Sequence, residues 1–410
     1  VSAICRGVYV KGKGVVLEEP SVVAVEKESG KVLKVGKEAQ ALLGRTPGNI
    51  LAVKPLEDGV ISQYDVTMKM LKYFIRKSVG TGFLKPRVMI CVPSGITEVE
   101  ERAVCDAALA AGAKKTYLIE EPFAAAIGAG IDVSKPNGNM VVDIGGGTTD
   151  AAVISYGDIV TSESVKAAGN KLDEAIAKYI RYKYNVLIGE RTAEDIKKQI
   201  GSAFPLDKEY VMDVKGRDLK EGLPKMITIN SAEVREAAEP VVKQIVTAVL
   251  HVIERTPPEL VGDVAANGIV LTGAGSLLYG IDRLIEHATG IRTYIAENPS
   301  ACVVLGTGRY LDNLQVLLSI ASISERQNIS ESYLEQLVRP LRKAGFIESV
   351  RGAGGGYVLA KPADSISVGD VLRVLEGGLE AVTCSVNEGL KQPRRAGSAQ
   401  PAIREKQKQR

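Results

Sequence analysis

The stretch Met140-Val141-Val142-Asp143-Ile144-Gly145-Gly146-Gly147-Thr148-Thr149-Asp150 decides how the first three quarters of this chain are read. An apolar run ends in an acid, followed by three glycines, two threonines and a second acid. The run Met140 to Ile144 has the composition of a buried strand. Three consecutive glycines cannot continue it; they make a turn whose backbone N–H groups can come close to an anion. The threonine hydroxyls add donors, and Asp143, just before the turn, suits a hydrated Mg2+ beside a phosphate. Ala151-Ala152-Val153-Ile154-Ser155 resumes as a strand, so the turn closes a hairpin and does not open a helix. Taken alone, the segment can also be an ordinary glycine-rich hairpin.

Working outward, Ile269-Val270-Leu271-Thr272-Gly273-Ala274-Gly275-Ser276-Leu277-Leu278 reads as a second buried strand with a glycine turn leading into a helix. A helix N-terminus of small residues lets a nucleotide lie close to the backbone. Two such turns argue for a two-lobed α/β fold with its ligand in the cleft between the lobes. Val303 to Gly308 then leads to a last short helix. Upstream, Thr116 to Ile119 reads as a strand, followed by Glu120-Glu121-Pro122 and a helix over Phe123 to Gly130. A carboxylate pair where a strand enters a helix is placed to orient a water; the competing reading is an acidic helix start that suits the helix dipole. Gly169 to Tyr184 and Ala232 to Arg255 read as helices, as does Thr192 to Ile200 with Thr192 near its cap. Glu194 and Lys197 share a face one turn apart, able to hold a ribose or base or to form a surface ion pair.

Nearer the start, Val8-Tyr9-Val10 and Val15-Val16-Leu17 read as strands around Lys11-Gly12-Lys13-Gly14, with a third over Pro20 to Val25. Ser2 to Gly7 has no clear strand pattern. Helices are expected over Tyr64 to Ser78 and Glu98 to Ala111, with a buried strand over Val88 to Val92. Phe83 and Leu84 sit between glycines and prolines, with Lys77, Lys85 and Arg87 nearby. Adjacent apolar residues ringed by cations suit an anionic membrane interface, or fold back onto the core.

The length of 410 residues predicts two or three domains. Hydrophobic content of 45% and charged content of 25% are ordinary for a soluble globular protein. The five cysteines are scattered and odd in number, which favours a reducing cytosol over a disulfide framework. No apolar run reaches transmembrane length and no signal-peptide pattern is visible. Charge is uneven: Asn313 to Arg410 carries 14 Lys/Arg against 10 Asp/Glu, so +4 of the net +3, leaving the rest near −1.

Val8 to Gly14, Leu118 to Gly130, Asp143 to Asp150, Glu194 to Gly201 and Leu271 to Leu278 together resemble the actin-like ATPase superfamily. Within it they resemble the MreB family of bacterial cell-shape filament proteins, over about Gly7 to Tyr310. The resemblance implies two ribonuclease-H-like halves binding ATP and Mg2+. It implies that Gly145, Gly146, Gly147 and Thr148 form the second phosphate loop and that Asp143 holds Mg2+ through water. Glu121 would orient the attacking water with Thr149 assisting. Glu194, Asp195, Ile196 and Lys197 would contact the nucleoside, and Gly273, Ala274, Gly275 and Ser276 would form the adenosine motif. Slow ATP hydrolysis by positioning is the implied chemistry. The implied partners are further copies in a filament, the inner membrane face reached through Phe83 and Leu84, and the cell-wall synthesis machinery; the implied place is cytoplasmic, peripheral at that face. The family also begins with a strand and a first phosphate loop carrying an Asp. Here Ser2 to Gly7 takes that place without an acid. The actin-like part, residues 1–312, is therefore expected to be N-terminally incomplete, with a gap or edge in its first sheet and weakened ATP binding.

After Tyr310 the pattern changes. Val316 to Asn328 and Glu331 to Ala344 read as helices, and Phe346 to Val350 with Gly356 to Leu359 reads as a hairpin around Arg351-Gly352-Ala353-Gly354-Gly355. This is a winged helix-turn-helix pattern, expected over residues 313–388, followed by a disordered basic tail over 389–410. Ser332, Tyr333, Arg339 and Arg342 on the second helix and Arg351 at the hairpin tip are its candidate contacts to duplex DNA; a protein-binding wing is the alternative. Ile323 to Ser330, Ser332 to Leu337, Val350 to Tyr357 and Val371 to Gly377 resemble the IscR-type transcription regulators. Cys384 is the one cysteine there, so no iron–sulfur cluster is expected. The leading expectation is an ATP-binding filament protein; the competing ones are a DNA-binding regulator carried on an actin-like scaffold and an inactive fusion product.

Overall fold

The computed structural model describes residues 5–44, 48–57, 59–80, 85–313, 324, 329–350, 356–361 and 365–376. It divides into a body, Val1–Asp312, and a second unit, Asn313–Arg410. Phe83, Leu84, Arg351, Cys384, residues 389–410 and, except for Ser324, the expected helix over 316–328 lie outside the described residues.

The body is organised on the strand Asn139–Ile144. It pairs antiparallel with Thr149–Ser155, which pairs antiparallel with Asp158–Val165; its other edge is parallel to Ile269–Thr272, itself parallel to Thr293–Ile295. Met140 through Ile144 are all buried, the signature of a strand covered on both faces. Successive side chains alternate between two cores. Met140, Val142 and Ile144 pack with Val242, Ile245 and Val249 of the helix Ser231–Arg255, while Val141 packs with Ala125 and Ala126 of the helix Glu121–Gly128. The long helix starts cleanly because Asn230 and Glu233 form a capping box. A separate core of Ile176, Ile180, Ile196 and Ile229 joins the helices Gly169–Tyr184 and Glu190–Ile200 to the hairpin Val211–Asp218 and Pro224–Asn230. The shorter helix begins at Glu190 on a Gly189 cap, so Thr192 lies inside its first turn and does not cap it.

The other lobe contains the antiparallel pair Cys5–Val10 and Gly14–Pro20 and the parallel pair Arg87–Val92 and Lys115–Glu120. These pairs are separate two-stranded sheets. The first strand starts at Cys5, earlier than its composition suggested, because Cys5, Arg6 and Gly7 pair with Pro20, Glu19 and Glu18. Helices Tyr64–Val79 and Glu98–Ala111 belong to this lobe, the second held by a Thr97–Glu100 capping box. Val23–Glu26, Val32–Val35 and Ile50–Val53 make a small outer sheet.

Val303 to Gly308 lies within the helix Cys302–Asn313 instead of preceding one. Its glycines serve packing. A Cβ on Gly306 would stand 1.7 Å from the carbonyl oxygen of Ala124, and one on Gly308 would enter the Tyr9 ring at 2.4 Å. The helix thus packs closely on Glu121–Gly128, where Gly128 in turn leaves no room for a Cβ against the carbonyl of Cys302.

In the second unit, the helix Glu331–Lys343 starts where the Ser330 hydroxyl accepts from the Tyr333 N–H. Leu334 and Val338 are its buried residues, and Ser332, Tyr333, Arg339 and Arg342 are exposed. The hairpin Ile347–Val350 and Gly356–Leu359 and the helix Val368–Glu376 follow.

Candidate functional site

The hairpin turn after Ile144 is held by its own backbone. Gly145 N–H donates to the Thr148 carbonyl at 2.9 Å; the carbonyls of Gly145 and Gly146 accept from the N–H groups of Gly169 and Asn170 at 3.3 and 2.8 Å. Gly145, Gly146 and Gly147 remain half-buried, and among the described residues the N–H groups of Gly146 and Gly147 donate to no protein acceptor. The turn, Thr148, Asp143, Glu121, Gly273 and Ala274 line one cavity of about 580 Å3.

The second glycine turn is built against the first. Gly273 has φ +77, and a Cβ there would stand 2.3 Å from the Ile144 carbonyl oxygen; one on Gly275 would meet the Ile144 side chain at 2.4 Å. Ile269–Thr272 is followed by a short 3-10 turn, Ala274–Leu277, and the helix proper starts at Ile281. Gly275 and Ser276 are buried, the Ser276 hydroxyl donating to the Gly273 carbonyl at 2.7 Å. Half of the four-residue stretch therefore faces the cavity, and half supports it.

Acid groups gather beside the turns. Asp143 is buried and accepts from the Thr272 hydroxyl at 2.8 Å. Burial, with the Glu121 charge next, pushes its carboxyl up to about 7. Asp150, its cross-strand neighbour, accepts from the Ser94 N–H at 3.0 Å and is pushed up to about 8, chiefly by burial and then by Glu121. Glu121 opens its helix, preceded by Glu120, which accepts from the Ser94 hydroxyl at 2.7 Å. Three acids this close, two of them desolvated, suit a site that receives a cation. Among the described residues no cluster of three His, Cys, Asp or Glu side chains forms a cation cage. The donor set fits the way Mg2+ is usually held, by a carboxylate, waters and phosphate oxygens.

Other candidates are placed differently. The Thr149 hydroxyl is fully buried and donates to the Ala167 carbonyl at 2.6 Å, so it does not line the cavity. Ile196 belongs to the accessory core, Asp195 is exposed and Glu194 pairs with Lys198 at 2.8 Å. Lys197 is buried, its ammonium bonded to the Gly169 carbonyl and to Asp173, each at 2.8 Å. Burial opposes both charges, lowering the Lys197 pKa and raising that of Asp173 to about 6. Since Gly169 in turn donates to Gly145, Lys197 braces the phosphate-type turn from behind. Thr272, Asp150, Asn170 and Asp173 were not singled out from the sequence. Their partners in these contacts lie 24 or more positions away, except where Asp150 simply faces Asp143 across the hairpin, a pairing that the turn length did encode.

A family model described as MreB/Mbl protein matches residues 3–319, and one described as Iron-dependent Transcriptional regulator, Rrf2, matches residues 309–408. The cell shape-determining protein Mbl of Bacillus subtilis (strain 168) is 54% identical over 311 residues, covering 76% of this chain and 93% of that protein. The cell shape-determining protein MreB of Escherichia coli (strain K12) is 50% identical over 315 residues, covering 75% and 91%. Among solved structures, MreB5 of Spiroplasma citri bound to ADP aligns with a TM-score of 0.73 at 40% identity, over 77% of this chain and 95% of that one; the same protein bound to AMPPNP aligns equally well. MamK in its double helical filament aligns with a TM-score of 0.62 at 20% identity over 73% and 94%, a likeness of fold alone.

Proposed function

The chain belongs to the MreB/Mbl family of actin-like, cell shape-determining proteins, and from that premise we propose that it binds Mg-ATP between its lobes and assembles into filaments. The observation that carries this reading is the turn at Gly145–Thr148, whose Gly146 and Gly147 N–H groups, donating to no protein acceptor among the described residues, stand beside Asp143 and Glu121 in one cavity. The glycine N–H groups bind the phosphates, while Gly273 and Ala274 let the nucleoside lie close. Asp143, oriented by the Thr272 hydroxyl, would hold Mg2+, and Glu121 would orient the attacking water. Bound Mg2+ supplies charge neutralisation for the phosphates and for these acids. MreB5 of Spiroplasma citri bound to ADP and AMPPNP supports the ligand class, and the MamK filament supports self-association as a property of the fold. Mg-ATP should make the full chain sediment as polymer, and Glu121→Gln should slow phosphate release at least ~10-fold with nucleotide affinity kept. A chain that neither pellets nor releases phosphate with Mg-ATP contradicts this reading.

The same reading places the filament at the inner membrane face, with Phe83 and Leu84 as the contact and the cell-wall synthesis machinery as partner. The attachment proposed is peripheral; among the described residues no helix is long and apolar enough to cross a membrane. Loss of vesicle co-sedimentation in Phe83→Ser/Leu84→Ser would support it; unchanged co-sedimentation would refute it.

For residues 313–388 we propose a winged helix-turn-helix that binds duplex DNA. The match to the regulator model and the exposed Ser332, Tyr333, Arg339 and Arg342 favour this. Duplex binding should weaken with salt and with Arg339→Ala/Arg342→Ala. Salt-insensitive or absent binding would leave the wing as a protein contact.

A further inference from the structure

The chain passes from the first lobe to the second between Glu120, the last residue of Lys115–Glu120, and Glu121, the first of the helix Glu121–Gly128. Two hydrogen bonds cross between the lobes at the same place. The Ser94 N–H donates to Asp150 at 3.0 Å, and the Ser94 hydroxyl donates to Glu120 at 2.7 Å. Ser94 stands just past Arg87–Val92, whose Val92 pairs with Glu120. Asp150 is the second residue of the strand that leaves the Gly145 turn. Ser94 and Asp150 are buried, and neither they nor Glu120 line the nucleotide cavity.

Glu120 occupies the N-cap of its helix, yet its side chain makes no capping hydrogen bond. An N-cap side chain ordinarily accepts from the second or third helical N–H; the second position here is Pro122, which has none. The Glu120 carboxylate turns to Ser94 instead. The helix start that carries Glu121 is thereby tied, through Glu120 and Ser94, to the hairpin that carries the phosphate-type turn. Glu121 itself stands close enough for its charge to act on both Asp143 and Asp150. A group that aligns a water on a phosphorus atom must be held tightly relative to the phosphate, since a misplacement of about 1 Å costs ~100-fold in rate. Turn and helix start are separate segments, and this pair of hydrogen bonds is the polar link between them. On the basis of the Mg-ATP reading, we propose that Asp150, Ser94 and Glu120 are positioning residues for hydrolysis: they fix Glu121 relative to phosphates held on the Gly145 turn.

The test measures phosphate release by the full chain at saturating Mg-ATP, and nucleotide affinity by calorimetry. Ser94→Ala and Asp150→Ala are each made in the parent and in the Glu121→Gln background. Ser94→Ala removes the hydroxyl and keeps the N–H bond to Asp150. Each substitution is expected to slow release ~5-fold in the parent, with affinity kept within ~2-fold, and to change it less than ~1.5-fold in the Glu121→Gln background. Equal slowing in both backgrounds, the mark of a structural contact or of impaired assembly, would overturn the proposal. An unchanged rate in Ser94→Ala, or a loss of affinity without loss of rate, would overturn it too. Where Asp150→Ala does not fold, Ser94→Ala decides by the same outcomes. A parent that releases no phosphate would contradict the Mg-ATP reading itself, and the proposal with it.

Discussion

The two lobes of the body use the same arrangement of strand senses, yet their strands are buried differently. In the second lobe Met140 through Ile144 and Thr149 through Ile154 are buried without exception. In the first lobe Val88, Met89, Ile90 and Cys91, equally apolar, are half-buried, and only Val92 is fully covered. Composition is therefore not what separates them. A central strand satisfies backbone groups on both edges and closes two cores at once; two strand pairs facing a cavity do neither. The main core of the second lobe accordingly joins Met140, Leu271, Val249 and Ile285 into one cluster, while the first lobe keeps a small core around Val23, Met70 and Phe74. The comparison also says where a nucleotide should be gripped. The rigid turn, the oriented acid and the second glycine turn all belong to the lobe with the continuous sheet.

The sharpest way to break the comparison is to truncate matched strands. Leu271→Ala, in the closed sheet, should cost ~2–5 kcal/mol in urea unfolding, whereas Met89→Ala, beside the cavity, should cost less than ~1 kcal/mol because its neighbours already leave space. Equal losses would mean that the first lobe is as well packed as the second. Next comes the buried acid. Burial pushes the Asp150 carboxyl in the folded chain from its ordinary 3.8 up to about 8, so its contribution to stability is full below about pH 4 and is lost as pH rises through about 8. Asp150→Asn should flatten that slope, gaining on the order of 1–3 kcal/mol over the parent at pH 8.5 relative to pH 4 in thermal melts without nucleotide. An unchanged slope would show that Asp150 is not the titrating group. The smallest effect is expected at the ion pair joining the lobes, Lys54 to Glu190 at 2.7 Å, because the Glu190 side chain is 75% exposed. Lys54→Ala should cost no more than ~0.5 kcal/mol. A larger loss would mean that this pair, more than packing such as that of Gly308 on Tyr9, ties the lobes together.

The hairpin around Gly145 was legible because strand, acid, glycines and returning strand are contiguous, and a turn of this length fixes its own register. Most helices were legible for the same local reason, Glu98–Ala111 down to its residues. Sequence spacing did not reveal which partners a face would meet. Glu194 and Lys197, one turn apart, stand close enough for the Glu194 charge to act on Lys197, but the ion pairs go from Lys197 to Asp173 and from Glu194 to Lys198. Thr149 looked available beside the turn, yet in a strand buried on both faces its hydroxyl goes to Ala167. The last helix read as starting after Gly308 because nothing local reveals that Ala124 and Tyr9 press on Gly306 and Gly308 from distant parts of the chain.

The most direct measurement is calorimetric titration of the full chain with Mg-ATP, set against Asp143→Ala. The account predicts micromolar binding by the parent and at least ~100-fold weaker binding by the variant, since the second lobe alone supplies the turn, the oriented carboxylate and the close approach at Gly273. Binding that is absent in the parent, or equal in both proteins, would contradict it.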